Sequence, residues 1–322
     1  MILHFPYINI LIINQLANIF AIFKQQLTHY IFLMTTIFLE GTKLVSLPDG
    51  NCKIVPDVPE TPTTPTVPTT PPIVKTPELK FGSGLPTGET VEILGETFMM
   101  QSPGLKHSIT KAVNVKAPVY RCEVNKGEIW SNDKTNSYRE RAEFYLKGAN
   151  FPTDKDVWIS YGIKIEKGDN FNVSSTDFVY LGQCHASEDK GDVASNPVFG
   201  LKFDGVDKLE LVTSSATAKI HTEKPKAVSR GIFQVERGVW HQVVIRVKFN
   251  PTKGEIQLWL NGKEMIKFSN IGIGYPDTTG PYWKFGIYRS PMNKKLAVSY
   301  ANMEVSKTES LKDRILNPLA IA

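Results

Sequence analysis

Cysteine is scarce: three residues in a chain of 322, at positions 52, 122 and 184. An odd number at wide spacing implies neither a disulfide framework nor a metal site. Cys122 and Cys184 read instead as small buried residues within strands. No stretch reaches the ~18 uninterrupted apolar residues that mark a convincing spanning helix. No long amphipathic helical pattern intervenes anywhere, which argues against a parallel βαβ architecture. There is no Lys/Arg stripe and no nucleic-acid module, so nucleic acid is not the expected partner. No Asp-rich loop marks a calcium site, and neither a metal nor another cofactor is expected.

What is present supports a packed domain. Apolar residues make up 41% and charged residues 21%, which excludes wholesale disorder. Net charge is +5, and residues 1–78 hold four Lys against five Asp or Glu, so the remainder carries 33 basic and 27 acidic side chains. A mildly basic domain suits a polyanionic partner, because positive potential in a cleft steers and concentrates it.

Residues 1–39 are rich in Ile, Leu and Phe but are interrupted by Asn9, Asn14, Gln15, Asn18 and Lys24-Gln25-Gln26, with no basic region ahead of them. Three readings stand: an atypical signal-anchor, a secretion signal, or upstream sequence preceding a start at Met34. Proline then recurs at 56, 59, 62, 65, 68 and 71. Polyproline II has three residues per turn, so these prolines line one edge of an extended, semi-rigid spacer. The expected organisation is a targeting, anchoring or mis-started segment over 1–55, a Pro/Thr linker over 56–78 and a globular domain over 79–322. A stalk of this kind suits a secreted or cell-surface monomer, with membrane or particle anchoring through the N-terminus; a phage-borne protein fits the same plan.

From about residue 85 the pattern is strand after strand. VYRCEV (119–124), RAEFYL (141–146), VWISYGIKI (157–165), DFVYLGQCH (177–185), VFGLKF (198–203), WHQVVIRVKF (240–249), EIQLWL (255–260), YWKFGIY (282–288) and LAVSYANMEV (296–305) are short, rich in β-branched or aromatic residues, and divided by turn signals. Asn261-Gly262 predicts a tight hairpin. The expected class is all-β, an antiparallel sandwich.

Strand alternation sorts these side chains onto faces. Arg141, Glu143 and Tyr145 share one face, leaving Ala142, Phe144 and Leu146 for the core. Gln183 and His185 share a face, with Phe178, Tyr180 and Cys184 turned inward. Tyr282, Lys284, Gly286 and Tyr288 oppose Trp283, Phe285 and Ile287. A half-buried strand needs only one apolar face, so a polar opposite face is ordinary. His, Gln, Arg, Lys and three Tyr in place of Thr, Ser and Glu are less so.

RCEVNKGEIW (121–130), YRERAEF (138–144), YLGQCH (180–185), GVWHQVVIRVKF and GEIQLWLNG (within 238–262) and GPYWKFGIYR (280–289) follow one another on predicted strands. Together they resemble the heparin-lyase-I-like and glucuronan-lyase group. The Arg-x-Glu, Gln-x-His and Tyr-x-Lys-x-Gly-x-Tyr elements are also similar to those of jelly-roll alginate lyases. The likeness runs from about residue 85 to about 310, and its strength lies in the order of motifs that are individually weak. Arg-Ala-Glu replaces the commoner Arg-Ser-Glu, and Cys184 stands where relatives carry an aromatic or aliphatic residue; both positions are expected to face inward.

The resemblance implies a two-sheet β-jelly roll, a concanavalin-like sandwich with an open concave cleft. It also implies cleavage of an acidic, uronate-containing polysaccharide by β-elimination, leaving a C4–C5 unsaturated end. That chemistry requires neutralising the uronate carboxylate, for which Gln183 (amide donor) and Arg141 (charged fork) are suited. By resemblance Tyr288 is the proton donor and His185, or Tyr288 itself, the base. Lys284 or Arg141 nearby would lower the tyrosine pKa from its usual ~10. Lys284, Arg139, Glu143, Tyr282, Tyr145 and Arg289 are expected on the substrate, with Glu143 also orienting Arg141 or Arg139. Arg139 competes with Arg141 for the catalytic assignment. Taken alone, His185 and Tyr288 would be structural; the accompanying motifs reverse that. Trp240-His241, Trp158 and Trp259 are read as packing residues. The competing function is a non-catalytic, lectin-like module on the same scaffold. A glycoside hydrolase ranks third, since it needs two facing carboxylates and these strands offer only Glu143.

Overall fold

The computed structural model describes residues 42–46, 52–56, 77–136, 138–316 and 319–321. The apolar stretch 1–39 and the proline-periodic stretch 57–76 lie outside the described residues. The chain divides into two compact units, Met1–Val74 and Lys75–Ala322. In the first, β1 (Thr42–Ser46) pairs antiparallel with β2 (Cys52–Pro56). Among the described residues no helix is long and apolar enough to cross a membrane.

The second unit is built from two eight-stranded antiparallel sheets. One runs in the order β13 (Val228–Gln234), β12 (Lys208–Thr213), β11 (Phe199–Phe203), β10 (Val179–His185), β17 (Tyr282–Arg289), β8 (Glu140–Leu146), β5 (Glu96–Gln101) and β4 (Thr90–Ile93). The other runs β16 (Lys263–Ile273), β15 (Asn250–Leu260), β14 (His241–Lys248), β9 (Asp156–Ile165), β18 (Leu296–Ser306), β7 (Val119–Val124), β6 (Ile109–Ala112) and β3 (Phe81–Gly84). The all-β sandwich expected from the strand pattern is the fold. Between β15 and β16, Asn261 and Gly262 both adopt positive φ (52° and 81°), the primed turn that the Asn-Gly pair predicts.

The alternating apolar residues meet between the sheets. Ala142, Phe144 and Leu146 of β8, Trp283, Phe285 and Ile287 of β17, and Ile159, Tyr161 and Ile163 of β9 are buried there. Each fully buried large apolar side chain is worth ~1.5–3 kcal/mol relative to exposure, so this pleat fixes which face of β8, β10 and β17 looks outward. Cys122 and Cys184 are buried and unpaired in the same core. Trp158 and Trp259 stack on each other at 6.1 Å in a separate cluster with Val244 and Leu311.

One expectation of alternation fails. The ladder joining β10 to β11 and β17 shifts register between Tyr180 and Gly182. Val179 and Leu181 therefore enter the core, while Tyr180 pairs with Tyr288 on the outer face, and Phe178 joins it with its ring 5.1 Å from that of Tyr288. Tyr300 of β18 supports the shift from the opposite sheet. Its hydroxyl lies 2.8 Å from the Leu181 carbonyl oxygen and 2.9 Å from that of Gly286, so its single O–H serves both. Gly286 itself has φ 126°, and a Cβ there would come 2.4 Å from the Ala142 carbonyl oxygen.

Candidate active site

Strands β8, β17 and β10 are neighbours, so the three polar rows merge into one outer-face patch. Tyr288 pairs with Arg141, Gly286 with Glu143, and Lys284 with both Tyr145 and Gln183. His185 pairs with Tyr282, and the two rings stack at 5.4 Å. Tyr145 meets Tyr282 edge-on at 4.8 Å. Lys284 and Gln183 thus lie between His185 and Tyr282 at one end and Tyr288 and Tyr180 at the other.

Glu143 is the hub of this patch, and it is 1% exposed. Its Oε1 accepts from Gln183 Nε2 at 2.5 Å, and its Oε2 lies 2.5 Å from Lys284 Nζ and 3.3 Å from Arg141 Nη1. Both of its oxygens are taken up by these three donors, so it acts by orienting them. Lys284 is pushed down to about 8, chiefly by burial, with Glu143 opposing that shift and Arg141 adding to it.

Arg141 differs from the free fork expected. Its Nε and Nη2 donate to both oxygens of Asp133 (2.5 and 2.9 Å), and Nη1 donates to Gln101 Oε1 (3.1 Å) as well as to Glu143. A guanidinium carries five N–H donors, so at most one remains for a ligand and a bidentate grip on substrate is ruled out. What Arg141 does is stack: its Cζ lies 4.3 Å from the Tyr288 ring centroid and 5.3 Å from that of Trp130. Asp133, Gln101 and Trp130 were not picked out from the sequence. Asp133 sits on a single helical turn, Asp133–Asn136, outside the strand pattern, and Gln101 ends β5, a strand the periodicity did not reveal.

The two proton-transfer candidates differ in state. His185 Nδ1 lies 2.7 Å from the Ala186 carbonyl oxygen, so it carries the proton and Nε2 presents a lone pair. Burial, followed by the Lys284 charge, holds the imidazole below its ordinary pKa. Tyr288 moves the other way from the expectation that Arg141 or Lys284 would lower it. Burial dominates and raises its pKa, with Arg141 and Arg139 opposing less strongly. A neutral imidazole thus faces the patch together with a phenol that keeps its proton.

Of the remaining expected residues, Arg139 lies half-buried over the Phe178 ring at 5.0 Å, beside Tyr288. Arg289 does not reach the patch. It is fully buried, its Nε donating to Glu140 Oε2 at 2.7 Å, because alternation after Tyr288 turns it into the interior.

At the far ends of β10 and β17, loops gather Asp192, His221 and Asp277, with one ligand atom from each within 4.8 Å of the others. Burial, then Asp192 and Asp189, push the Asp277 carboxyl up to about 6. Two carboxylates and an imidazole at this spacing could hold a divalent cation.

Among solved structures, this chain is similar to the endo-β-1,4-glucuronan lyase of the fungus Trichoderma reesei, at 13% identity over 73% of this chain and 89% of that one, TM-score 0.43. A family 7 alginate lyase with bound substrate is 14% identical over 71% and 93%, TM-score 0.44. The alginate lyase of Klebsiella pneumoniae is 12% identical over 59% and 81%, TM-score 0.42. No curated protein matches the sequence. The family model described as polysaccharide lyase matches residues 102–307, more than half of the chain and the stretch that holds Arg141, Gln183, His185, Lys284 and Tyr288. By that match the chain belongs to the polysaccharide lyase family and is an enzyme acting on polysaccharides.

Proposed function

We propose that this polysaccharide lyase cleaves a uronate-containing polymer by β-elimination on the outer face of β8, β17 and β10. The observation that supports this most directly is the pairing of a neutral His185 with a protonated Tyr288 on either side of Lys284 and Gln183. The uronate carboxylate docks against the remaining N–H donors of Lys284 and Gln183, which offset its charge and the charge that develops on the enolate. His185 Nε2 takes the C5 proton. The C5–H electrons form the C4–C5 double bond, the bond from C4 to the glycosidic oxygen breaks, and the Tyr288 hydroxyl protonates the departing oxygen. Arg141 acts through Tyr288, holding its ring by stacking.

The apolar N-terminal stretch and the Pro/Thr spacer support a secreted or surface-anchored enzyme, a monomer whose lyase domain begins near residue 79. A phage-borne depolymerase is compatible with the same layout. A panel of heparan-, glucuronan- and alginate-type polymers, followed by ultraviolet absorbance of the new double bond, tests the chemistry and names the substrate. Reducing ends without that absorbance would overturn elimination in favour of hydrolysis. Binding without cleavage would make the domain a lectin.

A further inference from the structure

Beyond Tyr288 the outer face continues across four more strands. The registers lay Arg141, Tyr288, Tyr180, Lys202, Glu210 and Ile232 in a single row, one residue each from β8, β17, β10, β11, β12 and β13. Adjacent strands lie ~4.8 Å apart, which puts Lys202 about 10 Å from the Tyr288 strand. A cavity of about 270 Å³ opens at this end of the row, lined in part by Phe178, Asp177, Lys202, Lys208 and Glu210. Phe178 links it to the catalytic patch, since its half-exposed ring also contacts that of Tyr288.

Lys202 is unlike the cations of the patch. Arg141 and Lys284 are held by Asp133 and Glu143. Lys202 is half-buried, and its Nζ stands 5.9 Å from the Tyr180 ring centroid. Among the described residues no carboxylate forms an ion pair with it, although Glu210 is its cross-strand neighbour. Two of the nearby acids have other partners: Asp177 accepts from the Ser174 hydroxyl, and Asp204 Oδ1 accepts from three backbone N–H groups, Val206 to Lys208. A partly desolvated ammonium that is held in no ion pair gains from a carboxylate brought by a ligand.

We propose that this pocket is a subsite for a second uronate of the same polymer, with Lys202 binding its carboxylate and Phe178 supporting its sugar ring. The inference rests on the lyase reading above and adds a requirement: productive substrates extend past the cleaved unit toward β11. The test is steady-state elimination by the full-length enzyme, read by ultraviolet absorbance on uronate oligosaccharides of increasing length and on the polymer. Wild type comes first; if it yields no unsaturated product on any uronate substrate, the lyase reading falls and this one with it. With an active wild type, Lys202→Met is expected to raise KM for the polymer about tenfold with much less effect on kcat, and to flatten the preference for longer oligosaccharides. Lys202→Arg should restore both. A Lys202→Met enzyme whose KM and length preference match wild type overturns the subsite and leaves the lyase reading intact. So does one in which kcat and thermal stability fall together without a change in length preference, which marks a structural residue.

Discussion

Glu143 and Lys284 form an ion pair of 2.5 Å on adjacent strands, and both are almost wholly buried. Attraction at that depth is strong, but so is the cost of desolvating each charge, and the pair persists because Gln183 and Arg141 also donate to Glu143. The carboxylate therefore sets the positions of three donors of the outer-face patch.

Removing its charge should be felt twice. Glu143→Gln leaves Lys284 and Arg141 without their common partner, and breaking a buried pair in this way costs about 3–5 kcal/mol. Denaturant unfolding should show a loss of that order, and elimination activity should fall even in the fraction that remains folded. Wild-type stability in this variant would mean that the pair is held by other contacts.

The pH response follows from two groups. His185 must be neutral to take a proton, and its pKa is held below the ordinary 6.5 by burial and by Lys284. The acid limb of kcat/KM should therefore lie below that value. Lys284 is pushed down to about 8, so an alkaline limb is expected near there as the patch loses its positive charge. Stability should behave differently. Between about 8 and the ordinary 10.5 the unfolded chain holds a proton that folded Lys284 has released, so this group makes the fold more stable as pH rises through that window. Its cost is fully present below the window. A pH–rate profile and urea midpoints over the same range check both signs.

The strand pattern carried most of this in the sequence. The faces of β8 and β17 follow from simple alternation, and Arg141, Glu143, Lys284 and Tyr288 fall where period two puts them. Alternation assumes an unbroken ladder, and β10 breaks it: one register shift turns outward Tyr180 and Phe178, which strict alternation puts in the core. Arg289 is the converse case: the ladder is unbroken there, and period two from Tyr288 turns it inward onto its cross-strand partner Glu140. Asp133 and Trp130 precede β8 in an irregular segment, where no periodicity tells which side chain folds back over Arg141.

That register shift suggests a variant remote from the substrate. Tyr300→Phe removes the hydroxyl shared by the Leu181 and Gly286 carbonyls and takes this buried donor from both. The expected loss is about 1–3 kcal/mol of stability. If the shift relaxes, Tyr180 and Tyr288 lose their register, and kcat should fall more than KM changes. A crystal structure of the variant with the β10–β17 ladder unchanged, together with normal kcat, would show that the strands fix the shift without help from Tyr300.

The most direct test of the chemistry is Tyr288→Phe. The Tyr288 hydroxyl has no hydrogen-bond partner among the described residues, while the ring is held by Arg141 on one face and by Phe178 nearby. Phenylalanine keeps the ring and both contacts, so thermal stability should change little. If the hydroxyl protonates the leaving oxygen, turnover should fall by about 10²-fold or more, because general acid catalysis is worth that much when the leaving group is poor. Substrate affinity should hold, since Lys284 and Gln183 are untouched. His185→Ala makes the complementary loss at the other end of the patch, and combining the two should cost much less than the product of the single effects, as expected of groups that serve one step. A folded Tyr288→Phe enzyme with near-normal kcat would remove Tyr288 from the mechanism and turn attention to water or His185 as the proton source.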